Sequence, residues 1–387
     1  MSKEVYIIDA ARTAIGNFLG SLKEMPAAQL SAELIKVIVA RNKIPPDQVS
    51  QVILGQVLLG GEGQNPARQA AVFGGLPYSV PAFVINQVCG SGLRSVVAAA
   101  QSISLEDASL ILAGGQENMS MSRNALHTRG HKMGNLECDD MMLRDGLTDA
   151  FNDYHMGITA ENLVKKYSLT RAEQDKFAYE SQQKAAAAQK SGFFKDEIVP
   201  IVLKKEVFES DEFIKPDLDI PKLAAMHPAF LKNGTVTAGN SSGLNDGAAV
   251  LLLTSNEGAT KYSLTPMARV VSHAIAGVDP SIMGIGPVEA VRSALSKAGW
   301  TLNSVDLIES NEAFAAQCLA VNKELGWNPT KINISGGAIA LGHPIGASGA
   351  RILTTLLYNM RRHKVSRGLA ALCIGGGMGI AMCVERV

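Results

Sequence analysis

Apolar and polar positions alternate along this chain in two rhythms. Short apolar runs of strand length recur at Val5–Ile8, Val52–Leu54, Leu110–Ala113, Val250–Thr254, Leu307–Glu309, Ala370–Ile374 and Ile380–Val384. Longer stretches lie between them, around Glu33, from Leu93 to Ile103 and around Glu289, with the spacing of helices that bury one face. Strands alternating with helices predict an α/β protein whose sheets are covered by helices.

The pattern also repeats. Glu33–Gln56 aligns without a gap on Glu289–Glu312, each reading as amphipathic helix, turn and short strand. The turn and helix at Cys89 pair with Asn333–Tyr358, where a Gly-rich turn again precedes a long helix. Ile111-Leu112-Ala113-Gly114-Gly115 pairs with Leu372-Cys373-Ile374-Gly375-Gly376. One echo is within chance; three in the same order predict a duplicated α/β unit. Between the halves, roughly Met119–Gly243 breaks the pattern. It is polar and Met-rich at first, then holds one clear helix, Arg171–Ser191, with Ser168-Leu169-Thr170 before it and Gly192 closing it. This stretch reads as an inserted subdomain, and inserted loops often carry binding contacts.

Composition narrows the function. Hydrophobic residues make up 47% of the 387, enough for a sizeable core. Lys plus Arg (36) balance Asp plus Glu (36), which argues against a nucleic-acid partner. The opening Met-Ser-Lys-Glu-Val-Tyr-Ile-Ile-Asp reads as a first strand rather than a signal peptide, and no apolar run is long enough to span a bilayer. Five cysteines (89, 138, 318, 373, 383) form no C-x-x-C pair. The expectation is a cytoplasmic protein with reduced thiols and no membrane partner.

Cys89 lies in Asn86-Gln87-Val88-Cys89-Gly90-Ser91-Gly92, after an apolar run and before a helix. Unpaired N–H groups and the dipole at a helix start favour a thiolate, so this cysteine is the candidate nucleophile. His343 is held by Gly342 and Pro344 on a turn before a helix, where imidazole can take a thiol proton or donate to an oxyanion. Cys373 ends an apolar strand and enters Ile374-Gly375-Gly376-Gly377, whose bare N–H groups suit an oxyanion hole. Asn311-Glu312 at a strand end fits either a ligand crevice or a helix cap. Cys318 and Cys383 read as packing residues and Cys138 as a bystander. His127 and His131 stand four apart, but no third ligand pattern accompanies them, so no metal is expected.

Taken together these segments resemble the thiolase family, in its biosynthetic acetyl-CoA C-acetyltransferase branch. The resemblance runs from Ala10-Ala-Arg-Thr-Ala-Ile-Gly through Asn86-Gln-Val-Cys-Gly-Ser-Gly, Gly115-Gln-Glu-Asn-Met-Ser, Tyr154-His-Met-Gly, Gly234-Thr-Val-Thr-Ala-Gly-Asn and Asn311-Glu-Ala-Phe-Ala. It ends in Gly336-Gly-Ala-Ile-Ala-Leu-Gly-His-Pro-Ile-Gly-Ala-Ser-Gly and Cys373-Ile-Gly-Gly-Gly-Met-Gly. It implies a thiolase fold: two duplicated βαβαβαββ halves in a five-layer αβαβα arrangement with an inserted loop domain. The halves would span 1–119 plus 245–266 and 267–387, with the insertion at 120–244 binding coenzyme A and making the tetramer contact.

The implied reaction condenses two acetyl-CoA to acetoacetyl-CoA and CoA, without a cofactor, in a homotetramer. By the same resemblance Cys89 becomes acetylated and His343 activates it. His343 then forms one oxyanion hole with a water held by Asn311. Cys373 deprotonates the second acetyl-CoA, and the N–H groups of Cys89 and Gly375 form the other hole. Ser242 and His155 would contact pantetheine, and Leu147, Phe230 and Met283 would line its channel. Phe314 joins the substrate contacts, and Met156 would restrict the acyl pocket. Lys215 stands where relatives often set an arginine against the adenine, and Lys222 where a small polar residue is common. Two alternatives share the fold: a 3-ketoacyl-CoA thiolase for longer chains, and a non-catalytic lipid carrier.

Overall fold

The structure, a computed structural model, describes residues 3–204 and 206–387. Nine strands build its large sheet: β1 (Val5–Arg12), β2 (Gln51–Gly55), β3 (Ala82–Ile85), β4 (Leu110–Asn118), β5 (Asn245–Ser255), β6 (Ala268–Gly277), β7 (Leu307–Ser310), β8 (Arg367–Ile374) and β9 (Met378–Arg386). A two-residue strand, Gly16–Asn17, adds to β5. The main helices are α1 (Ala27–Arg41), α2 (Pro66–Phe73), α3 (Ser91–Ser104), α4 (Met156–Tyr167), α5 (Arg171–Lys190), α6 (Gly286–Ala298), α7 (Ala315–Leu325) and α8 (Ser348–His363).

The duplication is visible in the strand order. In the first half β3, β2 and β4 run parallel, and β5 and β1 follow antiparallel. In the second half Ile332 bridges Ile308 in parallel, β7 and β8 run parallel, and β9 and β6 follow antiparallel. Even the one-turn helices agree: Pro46–Gln48 precedes β2 as Leu302–Ser304 precedes β7. The halves join where β1 meets β6, through only Tyr6↔Arg269 and Ile7↔Ala268. The expected pair of sheets is therefore one continuous sheet. Strand β6 was absent from the expected set, because Ser272 and His273 interrupt its apolar run.

Side-chain alternation builds the layers. In β5, Leu251 and Leu253 face inward with Ile7, Ile111, Leu372 and Met382 around α3 and α8. Val250 and Leu252 face outward under α1 and α2. In β9, Ala381 and Cys383 face outward under α6 and α7. Each half-sheet is buried on both sides, which gives the five layers helix, sheet, helices, sheet, helix and explains near-continuous apolar runs. The central helices cross almost backbone to backbone. A Cβ on Gly349 would lie 2.4 Å from the Leu93 nitrogen, and one on Gly92 would lie 2.8 Å from the Ala350 nitrogen. Several glycines of the two turns thus serve helix packing rather than ligand approach.

The stretch between β4 and β5 carries more than the one expected helix, since α4 and the short helix Ile220–Ala224 also fold there. Helix α5 starts as expected, with Thr170 and Glu173 forming a capping box, and Gly192 follows it at φ +73°. Buried Arg12 ties this region to β1, with Nε donating to Glu197 at 2.6 Å and the Nη atoms to Asp211 at 2.7 and 3.0 Å. Removing one partner of so buried a set costs about 3–5 kcal/mol.

Candidate active site

Cys89 stands on the turn between β3 and α3. That turn is tied by Asn86 Oδ1 accepting from Val88 N (3.0 Å), Ser91 Oγ accepting from Gln87 N (2.8 Å), and Ser91 Oγ donating to Val88 O (2.6 Å). Val88 is held at φ +46°. A β-branched residue in the left-handed region is strained, a feature that clusters at functional sites. The N–H groups of Gly375 and of Cys89 itself favour the Cys89 thiolate. Gly375 lies two residues beyond Cys373, so the two cysteine turns, far apart in sequence, meet at one point. Burial outweighs both donors, and nearby Glu117 adds to it. The Cys89 thiol is pushed up to about 11. Burial thus works against the thiolate expected from the helix start and favours a resting thiol that needs a base.

His343 can be that base. Its turn is anchored by His343 N donating to Asn245 Oδ1 at 2.9 Å. Gly342, at φ +106°, lies where a side chain would strike Asn245, so glycine is required there. Ser348 donates its only hydroxyl hydrogen to Pro344 O at 2.9 Å, and so accepts from His343 Nδ1 at 2.5 Å. With the proton on Nδ1, Nε2 keeps its lone pair. Asn311 Nδ2 faces Nε2 at 3.5 Å, while Asn311 Oδ1 is buried without a protein partner. Burial, helped by the Arg351 charge, lowers the imidazole to about 3, so it is neutral and able to accept a proton. Of the two readings of Asn311-Glu312, the crevice reading fits Asn311. Glu312 turns inward instead, accepting from Ser181, Asn333 and Ile339.

Cys373 is fully buried beside this point, among Met156, Met283, Ala313 and Phe314. Desolvation, then the neighbouring Cys89, push its thiol far up. Gly375 abuts Val88 and Met156: a Cβ there would lie 3.5 Å from the Met156 sulfur.

A cleft of about 430 Å³ leads to these groups. Its lining includes Cys89 and His343 together with Leu147, His155, Met156, Lys215, Phe230, Ser242, Met283 and Phe314. Cys373, Asn311 and Gly375 lie just behind that lining. His155 caps α4: its Nδ1 accepts from Gly157 N at 3.0 Å, which places its proton on Nε2 and makes that nitrogen a donor. The Phe230 ring stacks on His155 at 4.7 Å and meets Phe314 edge-on at 6.0 Å. Ser242 N donates to Ala313 O at 3.0 Å, joining the cleft wall to the Asn311 turn. Lys215 Nζ lies 4.5 Å from the Phe213 ring centre.

Some expected contacts stay apart from the cleft. Lys222 donates to Asp217 O at 2.6 Å and lies outside the lining. His127 faces Asp139 and His131 faces Gly134 O, both exposed, and no group of three metal-binding side chains forms among the described residues. No helix among those residues is long and apolar enough to cross a membrane. Sequence reasoning gave no role to Asn245, Ser348 or Glu117, although the last two lie in segments that carry the family resemblance. Only the i+5 spacing of Ser348 from His343, across a helix start, hinted at any of them.

The thiolase N-terminal domain profile matches residues 5–257, and the thiolase C-terminal domain profile matches residues 264–386. The acetyl-CoA acetyltransferase of Paracoccus denitrificans is 56% identical, with all of both chains covered. That of Chromobacterium violaceum is also 56% identical, over 99% of this chain and 100% of the relative. Among solved structures, Bacillus anthracis acetyl-CoA acetyltransferase superposes with a TM-score of 0.97 at 44% identity, covering 100% of this chain and 99% of that one. Human mitochondrial 3-ketoacyl-CoA thiolase in complex with CoA reaches the same TM-score at 40% identity, covering 100% and 98%. With two facing cysteine turns, a neutral histidine and full-length kinship of this kind, the chain belongs to the thiolase family of acyltransferases.

Proposed function

We propose that this protein condenses two molecules of acetyl-CoA to acetoacetyl-CoA and CoA, reversibly and by a ping-pong route through acetyl-Cys89. The reading rests on one observation above the rest: the two cysteine turns abut, a Cβ on Gly90 lying 2.4 Å from Ile374 Cδ1 and one on Gly375 3.3 Å from Val88 Cγ1.

His343 Nε2 takes the Cys89 proton as the sulfur attacks the thioester carbonyl. The departing CoA thiolate takes its proton from Cys373, leaving a thiolate there and an imidazolium at His343. The Cys373 thiolate then removes a methyl proton from the second acetyl-CoA. The enolate carbon attacks the acetyl carbonyl, and Cys89 leaves and regains its proton from His343. Charge develops on two oxygens, where fixed donors contribute most. The imidazolium, with a water on Asn311, serves the enolate. The N–H groups of Cys89 and Gly375 serve the tetrahedral intermediate. Each cysteine is a thiol at rest, so neither carries an uncompensated buried charge between turnovers. Ser242 and the His155 Nε2–H would meet pantetheine, with Lys215 at the adenine. The names of the curated relatives favour the acetyl branch.

Mass spectrometry after brief exposure to acetyl-CoA tests the proposal. The expected result is one acetyl group on Cys89, absent from Cys89→Ala; an adduct on another residue overturns the assignment. Action on longer 3-ketoacyl-CoA is the second reading, because the 3-ketoacyl-CoA thiolase fold superposes equally well. Met156 against Gly375 disfavours it. Turnover of acetoacetyl-CoA compared with 3-ketodecanoyl-CoA separates the two.

A further inference from the structure

Glu117 is fully buried at the end of β4, and its carboxylate meets no cation within ion-pair range among the described residues. It instead accepts three backbone N–H groups. Oε2 takes Val57 N at 3.0 Å and Gly346 N at 2.9 Å, and Oε1 takes Leu58 N at 3.1 Å. These donors come from two segments remote from β4. Val57 and Leu58 follow β2, and Gly346 closes the His343-Pro344-Ile345 turn. Val57, Leu58 and Ile345 pack with Cys89 in one small apolar cluster. A single carboxylate thus ties the turn that carries the base to the segment that packs against the nucleophile. Charge-assisted bonds of this kind are about twice as strong as neutral ones. A misplacement near 1 Å is enough to slow catalysis roughly 10²-fold.

We propose that Glu117 is a positioning residue for the first half-reaction: its carboxylate clamps the His343 turn and the segment after β2 around Cys89. This inference rests on the proposed role of His343 as the base for Cys89. Protonation would turn one acceptor oxygen into a donor facing an N–H group and open the clamp. Burial and the charge of Glu62 raise this carboxyl to about 7. The other charged or titratable groups toward it are Cys89, His343 across the Gly346 turn, and Arg123, which acts on Glu62. Neither Cys89, near 11, nor His343, near 3, titrates close to neutrality. Asp246, on the strand paired with β4, is raised to about 6, so loss of the step in E117Q is what assigns it to Glu117.

The clamp and the bare charge act in opposite directions. The carboxylate charge opposes Cys89 ionisation, so if charge were its only effect, removing it would speed the thiol's reactions. If Glu117 is a clamp, removing it slows them. Two readouts on the full-length protein separate these: the rate of Cys89 acetylation by acetyl-CoA and the rate of its alkylation by iodoacetamide, from pH 5.5 to 9. In the unaltered protein both rates should step upward near pH 7, above the general rise with pH. E117Q must set its amide NH₂ against one N–H, and E117D is too short to span all three donors. Both should slow acetylation roughly tenfold or more and lose the step. Faster alkylation in E117Q, or E117D behaving as the unaltered protein, would overturn the clamp. The pH profile of the unaltered protein needs no variant to fold, and a smooth rise through pH 7 would also overturn it. If the unaltered protein fails to acetylate but still shows the alkylation step, the proposed function fails and the clamp stands.

Discussion

The two halves of this protein share one plan and differ at one hairpin and one turn. In the second half β8 and β9 are joined by a tight turn, Gly375-Gly376-Gly377, which carries the Gly375 N–H and adjoins Cys373. In the first half the corresponding strands, β4 and β5, are separated by residues 119–244, which fold into the walls of the cleft. The strand-to-helix turns differ in the opposite sense. The Cys89 turn is short, residues 86–90, and the His343 turn is long, residues 333–347. Duplication placed four equivalent loops at the same end of the sheet. Divergence in loop length then made one half the site's nucleophile and ligand cleft, and the other its base and proton carrier.

The sharpest way to break this comparison is to remove the two cysteines separately. Cys89→Ala should lower both acetylation and turnover by roughly 10³-fold or more, since no other group carries the acyl chain. Cys373→Ala should lower turnover by about as much while acetyl-Cys89 still forms, as mass spectrometry would register. Loss of acetylation in both variants would mean the halves do not divide the labour.

A pH measurement comes next. An ordinary thiol, near 9.0, levels off in its reaction with iodoacetamide soon above that pH. Here the Cys89 thiol lies near 11, so its alkylation rate should keep climbing through pH 10. The sign for stability follows the same shift. The raised folded-state value stabilises the protein fully below pH 9.0, and that contribution is lost as pH rises through about 11. A plateau by pH 9 would show that the helix start and N–H donors outweigh burial.

Smaller effects probe the cleft. Met156→Ala should shift the ratio of 3-ketohexanoyl-CoA to acetoacetyl-CoA turnover upward by about tenfold, the scale of one or two methylene groups. An unchanged ratio would place the chain-length limit elsewhere. Smallest is Lys215→Arg, which should lower KM for CoA in the thiolysis direction a few-fold, because a guanidinium stacks on adenine better than an ammonium does.

Much of the architecture was legible. Periodicity located most strands and the helices α1, α3, α5 and α6, since each buries a face at a regular spacing. Strand β6 was missed because polar Ser272 and His273 sit within it: Ser272 is paid for locally by a bond from its hydroxyl to Ala294 O at 2.7 Å. At the site, Cys89, His343 and Cys373 stood out because reactive side chains on Gly-rich turns have few packing roles. Asn245, Ser348 and Glu117 did not. Asn245 and Glu117 act on backbone N–H groups 59 to 229 residues away, which no local pattern marks, and Ser348 reaches His343 only because the turn folds back across a helix start.

The amino-acid sequence alone determined the alternation of strands and helices, the repeated unit and the residues whose chemistry suits acyl transfer, because periodicity and side-chain reactivity are local properties. The tertiary structure decided which of those residues meet and in which protonation state they wait. Two sulfurs, an imidazole and an N–H donor become one site only when the sheet wraps around α3 and α8. Burial in that fold, not the start of a helix, sets Cys89 as a thiol and His343 as a neutral base, since desolvation depends on every segment packed around them.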